Sequence, residues 1–152
     1  MLRAMAPPFR WLVPDVIAGG PHPDRADHLE LADLHGTFDA VLTVFETPVD
    51  KRLLEPWGPS YLWLRTFDGE PPDLARSIAF IDEAHARGVA TFVHCWAGIG
   101  RTGTVLAAWL IHSGACVTAV EARDRVRRDY HEAAMETPQQ LAGLERWVKK
   151  RK

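Results

Sequence analysis

The sequence predicts an α/β domain whose small, mostly parallel central sheet of four to five strands is flanked by helices. Three observations predict this class. Strand-like and helix-like segments alternate in the first half of the chain, and three helical segments close it. The inner strand segments are continuous apolar runs, as in a sheet covered on both faces. Because 152 residues suit one domain of ordinary size, we expect a single domain over residues 1–152.

Four segments have the composition of strands. Residues 11–18 are mostly apolar but contain Pro14, so we expect two short pieces or a strand at the sheet edge. Residues 38–45, 61–65 and 89–94 are apolar and rich in β-branched and aromatic side chains. We therefore expect these three inside the sheet.

Five segments carry helix start and stop signals. Asp73 precedes one and Gly88 follows it, Thr118 and Glu121 form a capping-box pattern at another, and Thr137 begins the last with a following proline. The predicted helices span residues 24–34, 74–87, 101–112, 118–129 and 137–150.

Composition limits the classes of function. The net charge of −2 gives no general case for nucleic-acid binding, and no segment has the roughly 20 apolar residues of a membrane span or the apolar run of a signal peptide. We expect a cytoplasmic protein without nucleic-acid or membrane partners; the oligomeric state is open, with a monomer as the expectation.

The basic residues 149–152 fit a solvated helix end, and Cys116 fits a small core residue better than a disulfide partner for Cys95.

The stretch HCWAGIGRTG, residues 94–103, joins the last predicted strand to a helix, and its amides and helix dipole suit an anion. One interpretation is a dinucleotide-binding turn, because the glycines follow the GxGxxG pattern. The acidic residue that this interpretation requires would be Glu121, which lies instead in a helical segment. A nucleoside-triphosphatase loop is also disfavoured, since it needs GK[ST] where this chain has GRT.

The other interpretation is a loop that attacks a phosphate. Cys95 would lie beneath the loop amides, whose surroundings can lower the pKa of a thiol from about 8.5 to roughly 3.5–7.5. Arg101 can offer two parallel N–H groups to phosphate oxygens. Thr102 can donate its hydroxyl to the sulfur, and His94 can orient the loop. The phosphate-binding loop then consists of Trp96, Ala97, Gly98, Ile99, Gly100 and Arg101.

These residues form the signature H-C-x5-R-[ST], and the sequence resembles the cysteine-dependent protein phosphatases. The resemblance is greatest to small, single-domain dual-specificity or atypical protein tyrosine phosphatases of bacteria and archaea. It is weak at the N-terminus and good from residue 60 to the end. It implies that Cys95 is the nucleophile and that Arg101 holds the phosphate, within one phosphatase domain and without a metal or other cofactor.

The resemblance also implies a general acid on the loop RTFDGEPPD. Asp68 matches it, with Gly69 as a possible hinge, whereas Glu70 is a rival and Asp73 is better explained as a helix cap. Many relatives carry a proline shortly before this aspartate, and this chain has Thr66 and Phe67 there. The resting position of the loop is therefore open.

A glutamine in part of the family helps to position the water that hydrolyses the phosphorylated cysteine. Gln140 in METPQQ aligns with it better than Gln139 does, and a polar residue in a first helical turn is the competing explanation. The remaining histidines have no metal-ligand spacing, so we expect no metal site. The basic residues of one helix read as mostly solvated surface, with a role in holding an acidic phosphopeptide as the alternative; they are Arg123, Arg125, Arg127 and Arg128.

The resemblance thus predicts a phosphatase for phosphotyrosine, and also for phosphoserine and phosphothreonine, with a phosphorylated protein or peptide as substrate. The loop has no lysine, which disfavours the alternative of a phosphoinositide or other non-protein phosphomonoester, and an RNA 5′-phosphatase more so. The rival from another class is a catalytically poor phosphoprotein-binding module. Such modules usually lack the cysteine, the arginine or the acid, and this chain has candidates for all three.

Overall fold

The structure, a computed structural model, describes residues 8–151. One sheet lies at its centre, in the order β1-β2-β5-β3-β4. Only β1 is antiparallel, pairing with β2, while β2, β3, β4 and β5 run parallel. The strands are β1 (Arg10–Val13), β2 (Ile17–Gly20), β3 (Ala40–Phe45), β4 (Ser60–Arg65) and β5 (Thr91–His94). The predicted fold class is confirmed, and Pro14 does divide the first segment into two strands. The prediction that residues 61–65 lie inside the sheet is wrong, because β4 is an edge strand that pairs with β3 alone, and most of its residues are partly exposed.

Six helices flank the sheet, and a short 3-10 turn covers Pro23–Arg25. The helices are α1 (His28–Thr37), α2 (Lys51–Trp57), α3 (Leu74–Ala86), α4 (Gly100–His112), α5 (Ala119–Asp129) and α6 (Pro138–Lys150). Four predicted helices agree with these bounds to within two residues.

Two helical predictions need correction. The helix expected from residue 24 begins at His28, because Asp27 forms a capping box with Glu30 and the preceding residues form the 3-10 turn. Helix α2 was not predicted, since it is short and contains Pro56. Its Asp50 cap, which accepts a hydrogen bond from the Arg52 amide, shows why it begins where it does.

The parallel strands bring four chain segments to one edge of the sheet. The register pairs Gly20 with His94 between β2 and β5, and Phe45 with Arg65 between β3 and β4. The residues that follow these strand ends therefore meet at the carboxyl edge, where open α/β sheets bind ligands.

Helix α4 lies at the centre of the packing, against α3, α5, α6 and the sheet. All of its residues from Gly100 to Leu110 are buried, so its N-terminus is fixed rigidly below the carboxyl edge. Cys116 is a free thiol in the main core, as predicted. It follows the far end of α4, about 20 Å of helix away from Cys95.

The remaining predictions about the termini are partly testable. Lys149, Lys150 and Arg151 are exposed at the end of α6, as predicted, whereas Lys152 and residues 1–7 lie outside the described residues. Among the helices that the structure describes, the longest have 13 residues, and none is long and apolar enough to cross a membrane.

Candidate active site

Cys95 directly follows β5 and is 3% exposed. The hydroxyl of Thr102, in the first turn of α4, donates a hydrogen bond to Cys95 Sγ over 3.1 Å. This is the contact that the sequence predicted for Thr102. A donor to sulfur stabilises the thiolate form, which is the form that attacks an electrophile.

The loop between β5 and α4 leaves its amides available to an anion. Within residues 8–151, the N–H groups of residues 96–99 have no acceptor in the backbone or side chains, and Ile99, which precedes α4, provides no side-chain cap. Unpaired amides at the positive end of a helix dipole form an anion-binding site. The geometry thus supports the phosphate-binding loop predicted for residues 96–101.

Gly98 gives this loop its shape. Its φ is +76°, and a Cβ at this position would lie 2.4 Å from the carbonyl of Gly20. The hydroxyl of Tyr130 donates to the Gly98 carbonyl over 2.6 Å, and burial raises the pKa of Tyr130, so it remains a donor at neutral pH. The backbone conformation of Gly98 and the hydrogen bond from the buried Tyr130 therefore hold the loop in this shape.

Arg101 is 5% exposed and held by groups from the neighbouring strands. Its Nη1 donates to the carbonyl of Thr66 over 2.9 Å and to the carboxylate of Glu46. Its guanidinium carbon lies 5.1 Å from the centre of the Phe45 ring. These contacts fix the guanidinium before a substrate binds, which reduces the entropy lost on binding.

The structure brings Asp68 to this guanidinium. Asp68 Oδ1 lies 3.7 Å from Arg101 Nη2, although the Asp68 side chain is 81% exposed. The rival Glu70 forms no ion pair among the described residues. Asp73 caps α3 by accepting from the Arg76 amide over 3.1 Å, as predicted. The geometry therefore favours Asp68 as the acid near the phosphate loop.

His94 is fully buried and belongs to a chain of hydrogen bonds. Tyr61 donates to Thr43 Oγ1 over 2.8 Å, and Thr43 Oγ1 lies 2.7 Å from His94 Nε2. His94 Nδ1 lies 3.0 Å from the Cys95 carbonyl. Because the carbonyl accepts only, Nδ1 carries the proton and Nε2 accepts from Thr43. Burial lowers the pKa of His94 to about 3, so the ring is neutral and orients the backbone of Cys95.

Gln140 is 1% exposed and lies beside the phosphate loop. A Cβ on Gly100 would lie 3.0 Å from Gln140 Nε2. The Oε1 atom accepts from the Thr137 amide over 3.2 Å, and Nε2 is buried without a partner in the part of the chain that the structure describes. A buried donor without a partner is rare, and this one lies next to the loop.

Sequence reasoning missed three contributors: Glu46, Thr137 and Tyr130. Glu46 follows the carboxyl end of β3, and parallel topology brings that position next to Cys95. A search for polar residues directly after each predicted strand would have found it. Thr137 was predicted as a helix cap, and Tyr130 carried no local signal.

Arg127 departs from the prediction of a solvated basic surface. It is partly buried and donates to the carbonyls of Ala134 and Met135 over 2.8 and 2.9 Å. It thus supports the loop before α6, whereas the other three arginines pair with neighbouring aspartates. Within residues 8–151, no group of three or more His, Cys, Asp or Glu side chains has metal-binding geometry.

Comparisons with known proteins agree with this geometry. The profile of the family PTP-SAK, described as "Swiss Army Knife protein, DSP-PTPase phosphatase domain", matches residues 6–150. The crystal structure of Tk-PTP in the active form is 27% identical, with a TM-score of 0.81, over 97% of this chain and 100% of that one.

Two other solved structures share the fold. PTPMT1 in complex with PI(5)P is 22% identical with a TM-score of 0.73, over 90% of this chain and 92% of that one. Human DUSP28 is 21% identical with a TM-score of 0.71, over 95% of this chain and 97% of that one. The predicted likeness to a dual-specificity phosphatase is confirmed.

Proposed function

The chain belongs to the dual-specificity-type protein tyrosine phosphatases of the cysteine-dependent superfamily, and on that premise we propose that its substrates are phosphotyrosine proteins or peptides. Phosphoserine and phosphothreonine esters are further substrates in this proposal. The family membership makes the chain a cysteine-based phosphatase, that is, a phosphoric monoester hydrolase. The observation that supports the residue assignment is the hydrogen bond that the Thr102 hydroxyl, in the first turn of α4, donates to Cys95 Sγ over 3.1 Å.

In the first step, Cys95 Sγ attacks phosphorus in line with the ester oxygen. An S–P bond forms, the P–O bond breaks, and Asp68 gives its proton to the departing oxygen. Arg101 and the amides of residues 96–101 hold the equatorial oxygens as negative charge develops on them. A positioned acid of this kind contributes about 10²–10⁴ in rate.

In the second step, water attacks the phosphorus of the phosphocysteine. The S–P bond breaks, inorganic phosphate leaves, and the Asp68 carboxylate takes the proton of the water. Thr102 donates to the sulfur as its charge returns, which makes it a better leaving group. Gln140, with its buried Nε2 beside Gly100, orients the water. Two chemical steps replace one that is harder.

The rim of the site favours an aromatic ester. Trp96 follows Cys95 and is 46% exposed, and Phe67 precedes Asp68 and is 55% exposed. Exposed aromatic rings on both segments suit the ring of phosphotyrosine. The residues inside the loop, numbers 96–100, carry no charge that would meet the further phosphates of an inositol lipid.

The alternative within the same chemistry is a phosphoinositide. PTPMT1, which shares the fold, has been solved with PI(5)P bound. The remaining parts of the proposal are one catalytic domain over residues 1–152, a monomer, and action in the cytoplasm, where the thiol stays reduced. The chemistry proposed here requires no metal or cofactor.

The test compares kcat/KM on a phosphotyrosine peptide, matched phosphoserine and phosphothreonine peptides, PI(5)P and a 5′-triphosphate RNA. We expect the phosphotyrosine peptide to be the best substrate, with Cys95→Ser inactive on all. A higher kcat/KM on PI(5)P would establish the alternative substrate. Absence of turnover between about pH 5 and about pH 8, including on p-nitrophenyl phosphate, would indicate a binding module instead.

A further inference from the structure

We infer that Thr137 is a positioning residue that fastens the Asp68 loop to the N-terminus of α6 and connects it to Gln140. This inference rests on the proposed function, because it assigns the position of the acid in that reaction. It concerns a residue whose sequence signal was that of a helix cap.

The contact that carries the inference joins two distant parts of the chain. Thr137 Oγ1 donates to the carbonyl of Gly69 over 2.6 Å, and Gly69 directly follows Asp68. The φ of Gly69 is +82°, so the chain turns there and presents this carbonyl to α6. The hydroxyl hydrogen of Thr137 is therefore donated to the acid loop and not to a carbonyl of its own helix.

The same residue holds Gln140. The Thr137 hydroxyl oxygen accepts from the backbone N–H of Gln140 over 3.1 Å, and the backbone N–H of Thr137 donates to Gln140 Oε1 over 3.2 Å. Through its side chain and its backbone N–H, this one residue thus binds the loop that carries the acid of the first step and the glutamine assigned to the second.

A second contact fastens the same loop to α6. A Cβ on Gly143 would lie 2.4 Å from Pro71 Cβ, so the proline packs directly against the helix backbone at this glycine. The loop is therefore attached at Gly69 and at Pro71, on either side of Glu70.

Asp68 needs such support because little else holds it. Its side chain is 81% exposed, and in the described part of the chain its one ion-pair contact is Arg101 at 3.7 Å, longer than a hydrogen bond. An exposed side chain with so few contacts depends on its backbone for its position, and a misplacement of about 1 Å can cost about 10²-fold in rate. The backbone contacts with α6 therefore decide how often the carboxyl group stands over the leaving oxygen.

The test uses two aryl phosphates with different leaving groups and measures kcat/KM, which reports the steps up to formation of phosphocysteine. Phenoxide leaves poorly and needs the acid, whereas dinitrophenoxide leaves without it. We expect Thr137→Ala to lower kcat/KM about tenfold on phenyl phosphate and much less on dinitrophenyl phosphate. We expect Asp68→Asn to show the same difference between the two substrates, with a larger loss on phenyl phosphate. We expect Thr137→Ser, which keeps the hydroxyl, to restore the rate.

Thr118 supplies the matched control. Its hydroxyl caps α5 by accepting from the Glu121 backbone amide over 3.1 Å, as Thr137 caps α6, but within residues 8–151 it makes no hydrogen bond to the acid loop. Thr118→Ala should cost a similar cap energy, about 1 kcal/mol of stability, and leave both rates unchanged. If Thr137→Ala matches Thr118→Ala, or slows both substrates equally, the inference is wrong.

A second pair of variants keeps the test valid if Thr137→Ala unfolds. Gly143→Ala pushes on Pro71 and should produce the same leaving-group dependence, whereas Gly36→Ala, in a helix with nothing within 4 Å, should not. An unchanged leaving-group dependence in Gly143→Ala would overturn the inference. If Asp68→Asn itself loses no more rate on phenyl phosphate than on dinitrophenyl phosphate, Asp68 is not the acid, and this inference fails with that assignment. If Asp68→Asn shows the difference but the Thr137 and Gly143 variants do not, the proposed function is retained and only the inference about Thr137 is wrong.

Discussion

Glu46 forms an ion pair with Arg101, in which the carboxylate accepts from the guanidinium Nη1. The pair joins the end of β3 to the first turn of α4, at the edge where the phosphate loop lies. A buried cation needs a partner to remain charged without a large desolvation cost. The pair therefore sets the orientation of Arg101 in the absence of substrate.

Replacing Glu46 by Ala should lower kcat/KM on p-nitrophenyl phosphate by about tenfold, because Arg101 then keeps the Thr66 carbonyl but loses its second anchor. The measurement is steady-state kinetics beside a urea unfolding curve for the same variant. Glu83→Ala, on the exposed face of α3, is the control and should behave as wild type. A rate equal to or above that of wild type in Glu46→Ala would show that the pair is not needed.

Gly98→Ala should remove most activity and also destabilise the fold. An alanine at φ +76° costs about 1–2 kcal/mol, and its Cβ would in addition press on the Gly20 carbonyl. Gly114→Ala is the matched control, since its φ is +84° but nothing lies within 4 Å. Urea unfolding should show a larger loss of stability in Gly98→Ala than in Gly114→Ala, which carries the backbone cost without the clash. Turnover should be lost in Gly98→Ala alone. Equal activity in the two would mean that the shape of the loop does not matter.

The sequence predicted most of the fold because its signals are local. Continuous apolar runs marked β3, β4 and β5, and capping residues such as Asp73 and Thr118 marked helix starts. Helix α2 escaped prediction because Pro56 within seven residues resembles a loop signal.

From local sequence patterns alone, the site was predictable only as far as one motif extends, and the candidates Asp68 and Gln140 came from the family resemblance. Residues 94–102 are contiguous, so the spacing of Cys95, Arg101 and Thr102 gave their arrangement directly. The pairing of Glu46 with Arg101 and the bond from Thr137 to Gly69 join residues 55 and 68 positions apart. The sequence motif does not encode these pairings, which arise from the order of strands in the sheet for Glu46 and from the packing of α6 beside the acid loop for Thr137.

Stability should fall as the pH falls below about 6.5, in part because of His94. Burial in the folded state holds the pKa of His94 at about 3, whereas the ordinary pKa of a histidine is 6.5. Between these pH values the unfolded chain binds a proton that the folded one does not, so protonation favours unfolding. Urea unfolding between about pH 7 and about pH 5 should show a smaller loss of stability in His94→Gln than in wild type.

In His94→Gln, the slope of the free energy of unfolding against pH should be smaller than in wild type but not zero, because burial also lowers the pKa of His22. An identical slope in His94→Gln and wild type would mean that His94 is protonated as readily in the folded state as in the unfolded one.

Iodoacetate should alkylate Cys95 faster than Cys116 at about pH 6, and phosphate or vanadate should slow the reaction at Cys95 alone. The loop amides and Arg101 attract the anionic reagent to Cys95, whereas burial raises the pKa of Cys116. Mass spectrometry of the two cysteine peptides measures both rates in one sample. Equal rates, or no protection by phosphate, would contradict an anion-binding loop around Cys95.

Trapping the phosphorylated enzyme tests the central assignment most directly. A rapid acid quench during turnover of p-nitrophenyl phosphate, followed by mass spectrometry of the peptide that contains Cys95, should show one added phosphoryl group on that cysteine. The species should accumulate further in Gln140→Ala, in which hydrolysis is slowed, and be absent in Cys95→Ser. Turnover in Cys95→Ser would contradict the account. So would steady turnover of wild type with no phosphoryl group on Cys95 in wild type or in Gln140→Ala.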